Sequence, residues 1–272
     1  MITVSFTFEE KIFVPLPPMT QTIYNSFVAA KQHGQKKFVV LIDPDKLKLS
    51  NIDHVLRLAA DAKVDYIFLG GSLVVTDMMS QCIKEIRENI NVPIVLFPGD
   101  IAQINTEADA ILFLSLISGR NPELLIGKQV TAAPILKRSS LEVISTGYML
   151  VDGGTTTTAI YMSGSLPIPA SKHDIAVCTA IAGEMLGMKL IYMDAGSGAI
   201  NPIPSSMIQA VSQNIDIPLI VGGGIQTPEK ALENIKAGAD VIVVGNAIEK
   251  NPDLIIEISA AVHSINNVVV SH

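Results

Sequence analysis

Eight short apolar runs occur in this chain at near-regular intervals, and most of them stop abruptly at glycine, serine or aspartate. They are FVVLID (38–43), YIFLGGS (66–72), PIVLFPG (93–99), AILFLSLIS (110–118), LEVISTGYMLVD (141–152) and the segments 190–194, 218–222 and 241–245. They lack the strict apolar–polar alternation of a half-exposed strand. Continuous apolar runs of this length are what strands covered on both faces look like, and such strands are parallel. Parallel strands need long crossover connections, usually helical. The intervening segments fit that need. Helical spacing is read over 20–31 (Ile23, Phe27, Ala30), 50–62, 76–89, 171–186, 204–214, 228–236 and 253–266, with Thr227 as a cap and Pro228 in the first turn. Segment 122–138 reads as helical in part, 101–109 as short and poorly helical, and 153–169 as a loop without helical pattern. Eight repeats of this kind predict an α/β fold, a single-domain (β/α)8 TIM barrel with an irregular third helix. Residues 1–18, with Pro15, Pro17 and Pro18, read as a loose N-terminal arm, and 19–272 as the catalytic domain.

Composition narrows the partners. The 272 residues are 49% hydrophobic and 17% charged, with a net charge of −7. No cluster of lysines and arginines is present, which argues against nucleic acid. No apolar run approaches the roughly 18 residues of a membrane span. Glu9 and Glu10 stand where a signal peptide would carry basic residues. Cys82 and Cys178 lie far apart, without metal or redox spacing, and read as buried thiols of a cytoplasmic protein.

In a barrel of this type the chemistry sits at the C-terminal strand ends. Those ends carry Asp43-Pro44-Asp45-Lys46, Gly70-Gly71-Ser72, Pro98-Gly99-Asp100, Ser115 and Ser118, Asp152-Gly153-Gly154, Asp194 followed by Gly196-Ser197-Gly198, Gly222-Gly223-Gly224, and Gly245-Asn246. Glycine corners after strands six, seven and eight suit a phosphate, because their backbone N–H groups approach an anion closely. Helix stops and close packing account for such glycines equally well one at a time. Asp43 and Ser72 become neighbours if strands one and two pair. A carboxylate and a hydroxyl suit Mg²⁺, although each also serves as a local cap. Lys46 either meets a phosphate or stays solvated. None of the five histidines stands at a strand end, Lys189 lies at the wrong end for a Schiff base, and neither a GxSxG elbow nor a P-loop is present. Asp194 remains as a general base for a hydroxyl beside a bound phosphate. Tyr192, two positions earlier, shares its face of the strand.

The motifs LIDPDK (41–46), GGS (70–72), YMDAGSG (192–198), GGGI (222–225) and GNAIEKNP (245–252) resemble the geranylgeranylglyceryl phosphate synthase family, which includes the PcrB-type heptaprenylglyceryl phosphate synthases. The resemblance implies a Mg²⁺-dependent TIM-barrel prenyltransferase. It would join sn-glycerol 1-phosphate to a polyprenyl diphosphate through an ether bond, releasing diphosphate. It assigns the metal to Asp43 and Ser72 and catalysis to Asp194. It assigns glycerol 1-phosphate to Tyr192, Met193, Asp194, Ala195, Gly196, Ser197, Gly198, Gly223, Gly224, Gly245 and Asn246, and the diphosphate to Lys46. Many members carry Glu at the place of Asp194, so the carboxylate here is set further back. The LIDPDK form is similar to the archaeal-type branch, which implies a geranylgeranyl donor, and the branch implies a homo-oligomer, dimer or hexamer. Phe97, Phe113, Leu114, Tyr148, Tyr161 and Met162 are candidates to line a prenyl groove, each of them equally readable as barrel core, and a prenyl tail implies transient membrane contact. Two other readings compete. One is a different phosphate-binding barrel enzyme, such as an isomerase, an epimerase or a thiamine-phosphate-synthase-like protein. The other is a non-catalytic phosphate- or flavin-binding barrel. A long apolar pocket along strands three to five would separate the first reading from both.

Overall fold

The computed structural model describes residues 21–45, 49–76 and 78–266, with backbone alone for 49–51. The arm expected over 1–18 and the side chain of Lys46 lie outside the described residues. Eight strands, β1 (Lys37–Ile42), β2 (Tyr66–Leu69), β3 (Ile94–Leu96), β4 (Ala110–Leu116), β5 (Glu142–Leu150), β6 (Leu190–Asp194), β7 (Leu219–Gly222) and β8 (Val241–Val244), pair in chain order and close into a barrel. Every pairing is parallel, including β8 to β1. The expected TIM barrel is the observed one.

The pleat divides each strand between two cores. Val39, Phe68, Val95, Leu112, Ile144, Tyr192, Ile220 and Val243 fill the barrel interior. Their alternates, such as Val40, Ile67, Ile94, Ile111, Met193 and Ile242, pack outward under the helices. Both faces are covered, which is why the strands read as unbroken apolar runs. Helix α1 (Thr22–Gln32) plugs the N-terminal end: Phe27 enters the interior cluster and its ring lies 4.9 Å from that of Tyr66. Glu142 at the start of β5 accepts from the Ile23 and Tyr24 N–H groups (2.9 and 2.7 Å), satisfying donors that a helix start leaves free.

The outer layer comprises α2 (Leu49–Asp61), α3 (Met79–Asn89), α4 (Lys128–Lys137), α5 (Thr158–Ser163), α6 (His173–Met185), α7 (Ser205–Ser212), α8 (Pro228–Lys236), α9 (Asn246–Lys250) and α10 (Leu254–His263). Between β3 and β4 there is only a 3₁₀ turn, Ile101–Gln103, so the expected irregular third helix is observed. A π-helical turn, Glu123–Gly127, leads into α4. Three details depart from the sequence reading. The 153–169 segment contains α5, capped by Thr157 and ended by Gly164 in the left-handed region; its polar run of threonines carries cap signals but no apolar stripe. The five-residue α9 precedes α10. Cys178 is exposed on α6, whereas Cys82 is buried.

Candidate active site

Asp194 ends β6, in register with Leu150 of β5 and Gly222 of β7. The residue is 7% exposed and lines the cavity at the barrel mouth. Oδ2 accepts from the Tyr148 hydroxyl at 2.6 Å, and Oδ1 accepts from the Gly196 N–H at 2.8 Å. Burial pushes its pKa above the ordinary aspartate range, although both hydrogen bonds oppose the shift. Burial and the neighbouring Asp194 charge hold the phenols of Tyr148 and Tyr192 well above their usual range, so both stay protonated. The floor beneath the carboxylate is aromatic. Phe97 stacks on Tyr192 with centroids 5.0 Å apart, and Tyr148 stands edge-on to both at 5.8 and 5.6 Å.

The glycine corners after β6, β7 and β8 meet at one rim. Gly223 has φ +77°, and a Cβ there would fall 2.5 Å from Asp194 Oδ1 and 2.6 Å from the Ala195 nitrogen. Only glycine lets the β7 corner lie against the β6 turn. The Ser197 hydroxyl donates to Asn246 Oδ1 at 2.8 Å, tying the β6 corner to the β8 corner. Gly196, Ser197, Gly198, Gly223, Gly224, Gly245 and Asn246 all line one cavity of about 450 Å³, together with Tyr192, Asp194, Asp43 and Ser72.

Opposite Asp194, Asp43 is buried at the end of β1, and its Oδ1 accepts from the Asp45 N–H at 3.1 Å. Gly71 presses against it: a Cβ at residue 71 would lie 3.0 Å from Asp43 Oδ2. Asp45 fastens the β2 loop by accepting from the Val75 and Thr76 N–H groups (2.6 and 3.1 Å). Among the described residues no group of three or more histidine, cysteine, aspartate or glutamate side chains could enclose a metal. One carboxylate and one hydroxyl on a cavity wall nevertheless fit Mg²⁺, which takes few protein ligands and draws the rest from water and phosphate.

A second cavity, about 330 Å³, runs from this site along β3, β4 and α4. The two share Gly71, Ser72, Leu73 and Phe97 as a common wall. Its lining is mostly apolar and includes Phe113, Leu114, Tyr148 and Met162. Tyr161, named with them from the sequence, is 79% exposed.

A PcrB-family profile matches residues 31–263. The chain belongs to the PcrB family. It is 57% identical over 246 residues to a geranylgeranylglyceryl phosphate synthase of Chitinophaga pinensis, covering 90% of this chain and 98% of that one. The crystal structure of (S)-3-O-geranylgeranylglyceryl phosphate synthase from Thermoplasma acidophilum, in complex with its substrate sn-glycerol-1-phosphate, superposes with a TM-score of 0.84 at 31% identity, covering 89% of this chain and 99% of that one. Thiamine phosphate pyrophosphorylase from Pyrococcus furiosus, at 15% identity and a TM-score of 0.52 over 86% of this chain and 98% of that one, shares the barrel alone.

Within this PcrB-family barrel the side chains named from the sequence divide between the cavity and the outer core. Met193 and Ala195 are fully buried in the outer core. Their side chains do not reach the cavity, because the pleat turns neighbours of Tyr192 and Asp194 away from it. Several other strand-end residues serve the backbone locally. Ser115 donates to the Leu125 carbonyl, Ser118 accepts from the Leu150 N–H, and Asp152 accepts from the Gly154 N–H. Sequence reasoning missed that Tyr148 holds Asp194. The signal lies in strand register, which sets Tyr148 beside Tyr192. It also missed Thr157, whose side chain occupies the space beside Gly196.

Proposed function

We propose that this PcrB-family chain joins sn-glycerol 1-phosphate to geranylgeranyl diphosphate, giving 3-O-geranylgeranyl-sn-glyceryl 1-phosphate and diphosphate. The observation that carries the reading is the meeting of two cavities at Gly71, Ser72, Leu73 and Phe97, one glycine-rimmed and holding Asp43 and Asp194, the other more apolar. An isomerase or a thiamine-phosphate-type enzyme has no use for the second.

In this mechanism the phosphate of glycerol 1-phosphate rests on the corners of Gly196, Ser197, Gly198, Gly223, Gly224, Gly245 and Asn246. The substrate hydroxyl faces Asp194, which takes its proton. The freed oxygen pair forms the bond to the first prenyl carbon, and the pair of the breaking C–O bond leaves with the diphosphate. Burial makes Asp194 a stronger base than a solvated aspartate. Tyr148, kept protonated, holds that carboxylate in line. Asp43 and Ser72 would hold Mg²⁺, which when bound neutralises charge on the diphosphate. Lys46 is assigned to the same diphosphate. The prenyl tail lies in the apolar cavity along Phe113, Leu114 and Met162. Leu73 and Val75 after β2, and Tyr161 and Leu166 after β5, are exposed and apolar, which suits brief contact with a lipid surface. A cytoplasmic homo-oligomer, dimer or hexamer, completes the reading.

The test is to incubate the protein with Mg²⁺, labelled glycerol 1-phosphate and prenyl diphosphates of several lengths, then extract the lipids. A labelled ether lipid formed best from the geranylgeranyl donor is expected. Absence of a lipid product from every donor, or a clear preference for another length, overturns the proposal in whole or in its choice of donor.

A further inference from the structure

Gln103 closes the 3₁₀ turn that replaces a helix between β3 and β4. It is 4% exposed, yet it lines the apolar cavity. A carboxamide in such a place must spend its polar atoms on the protein. Oε1 accepts from the Gly71 N–H at 3.3 Å and from the Gly99 N–H at 3.2 Å, and Nε2 donates to the Gly71 carbonyl at 2.9 Å. Both backbone groups of Gly71 are thereby committed to one side chain.

The corners that this amide joins are packed without slack. A Cβ on Gly99 would fall 2.4 Å from the Gly71 carbonyl oxygen and 2.9 Å from Ser72 Cα. A Cβ on Gly70, at φ +145°, would fall 2.2 Å from the Phe97 carbonyl oxygen. Gly71 in turn borders Asp43 Oδ2. The chain of contact runs from Gln103 through Gly71 to Asp43 and Ser72.

We propose that Gln103 is a positioning residue for the diphosphate end of the site. Its amide sets the orientation of the Gly71 peptide, and so the place of Ser72 beside Asp43, while the corners that take glycerol 1-phosphate stand outside its reach. The inference rests on reading the Asp43 and Ser72 wall as the diphosphate end. It predicts a selective defect: without the amide, three backbone groups of the two packed corners lose their protein partner and the turn relaxes.

Isothermal titration of the full chain with inorganic pyrophosphate plus Mg²⁺, and separately with glycerol 1-phosphate, tests this without reference to turnover. For Gln103→Met, of similar length and without hydrogen-bonding groups, pyrophosphate affinity is expected to fall about tenfold, with glycerol 1-phosphate affinity unchanged within about twofold. Prenyl diphosphate KM should rise in parallel, with glycerol 1-phosphate KM unmoved. Unchanged pyrophosphate binding, or equal loss for both ligands, overturns the proposal, as does a wild-type protein that binds no pyrophosphate. If Gln103→Met does not fold, Gln103→Asn carries the test, with the amide kept but drawn back. The lipid-product assay on the wild type judges the overall function separately.

Discussion

Two aspartates at opposite ends of the barrel, Asp194 buried and Asp65 half-buried, are handled in opposite ways. Asp65 precedes β2 at the N-terminal end. Burial works to raise its pKa, but hydrogen bonds from His263, the Phe38 N–H and Lys37, with the Lys37 charge, outweigh burial and bring it below the ordinary range. Asp240 at the same end receives Lys31 and Lys36 at 3.3 and 3.0 Å. Asp194, at the C-terminal end, takes hydrogen bonds from a phenol and a backbone N–H and pairs with no cation among the described residues. There burial prevails and the pKa rises. One end uses carboxylates to fasten helices and strands. The other holds a carboxylate in a state that favours taking a proton. The cavity in front of Asp194 and the lack of a cation beside it among the described residues, more than the raised pKa, separate the two settings.

The largest effect expected from this contrast is on turnover. Asp194→Asn should lower kcat by about 10²–10⁴-fold, the range for losing a general base, while glycerol 1-phosphate affinity stays within a few-fold. Calorimetry should show no loss of stability, and a gain at pH 8. The sign follows from linkage: a carboxyl whose folded pKa is raised contributes stability below its unfolded pKa and loses that contribution as pH rises through the folded value. Equal loss of binding and turnover would break the contrast. Asp65→Asn should do the reverse, leaving kcat unaltered and lowering stability by about 2 kcal/mol, since it strips partners from a mostly buried paired charge. Because the Asp65 pKa is lowered, the wild-type contribution is present above the unfolded pKa and fades as pH falls through the folded one. The difference in thermal stability between wild type and variant should therefore shrink in acid. The smallest effect belongs to Tyr148→Phe. It removes a hydrogen bond that lowers the Asp194 pKa, so the acid limb of kcat should move to higher pH, with a larger loss at pH 6 than at pH 8. An unmoved limb would mean that Tyr148 orients the base without tuning it.

Much of this arrangement could be read from residue order. Strands covered on both faces leave unbroken apolar runs, and corners that must approach an anion or each other leave glycines, so the barrel and its rim were legible. Asp43, Ser72, Asp194 and the corners after β6, β7 and β8 could be placed on one rim from strand ends alone. Contacts between strands could not. Tyr148 meets Asp194 from a neighbouring strand, and local spacing does not carry that register. The motif 192–198 gives no sign that the pleat turns the side chains of Met193 and Ala195 into the outer core. Helix α5 escaped notice because six residues on a surface need no apolar stripe. Gln103 lay in a segment whose weak pattern gave no reason to look there, although that irregularity is what lets its side chain turn beneath two loops.

The crowding at Gly223 has a consequence for how this enzyme can change. The corner after β7 occupies the volume that any larger residue would need, and the nearest atom in the way is an oxygen of Asp194. A mutation that enlarges residue 223 therefore displaces the carboxylate as it reshapes the anion rim. The shape of the glycine rim and the place of the Asp194 carboxylate are inherited as one unit. The apolar cavity bordering α4 carries no such tie to Gly223, so its lining can drift without moving the carboxylate.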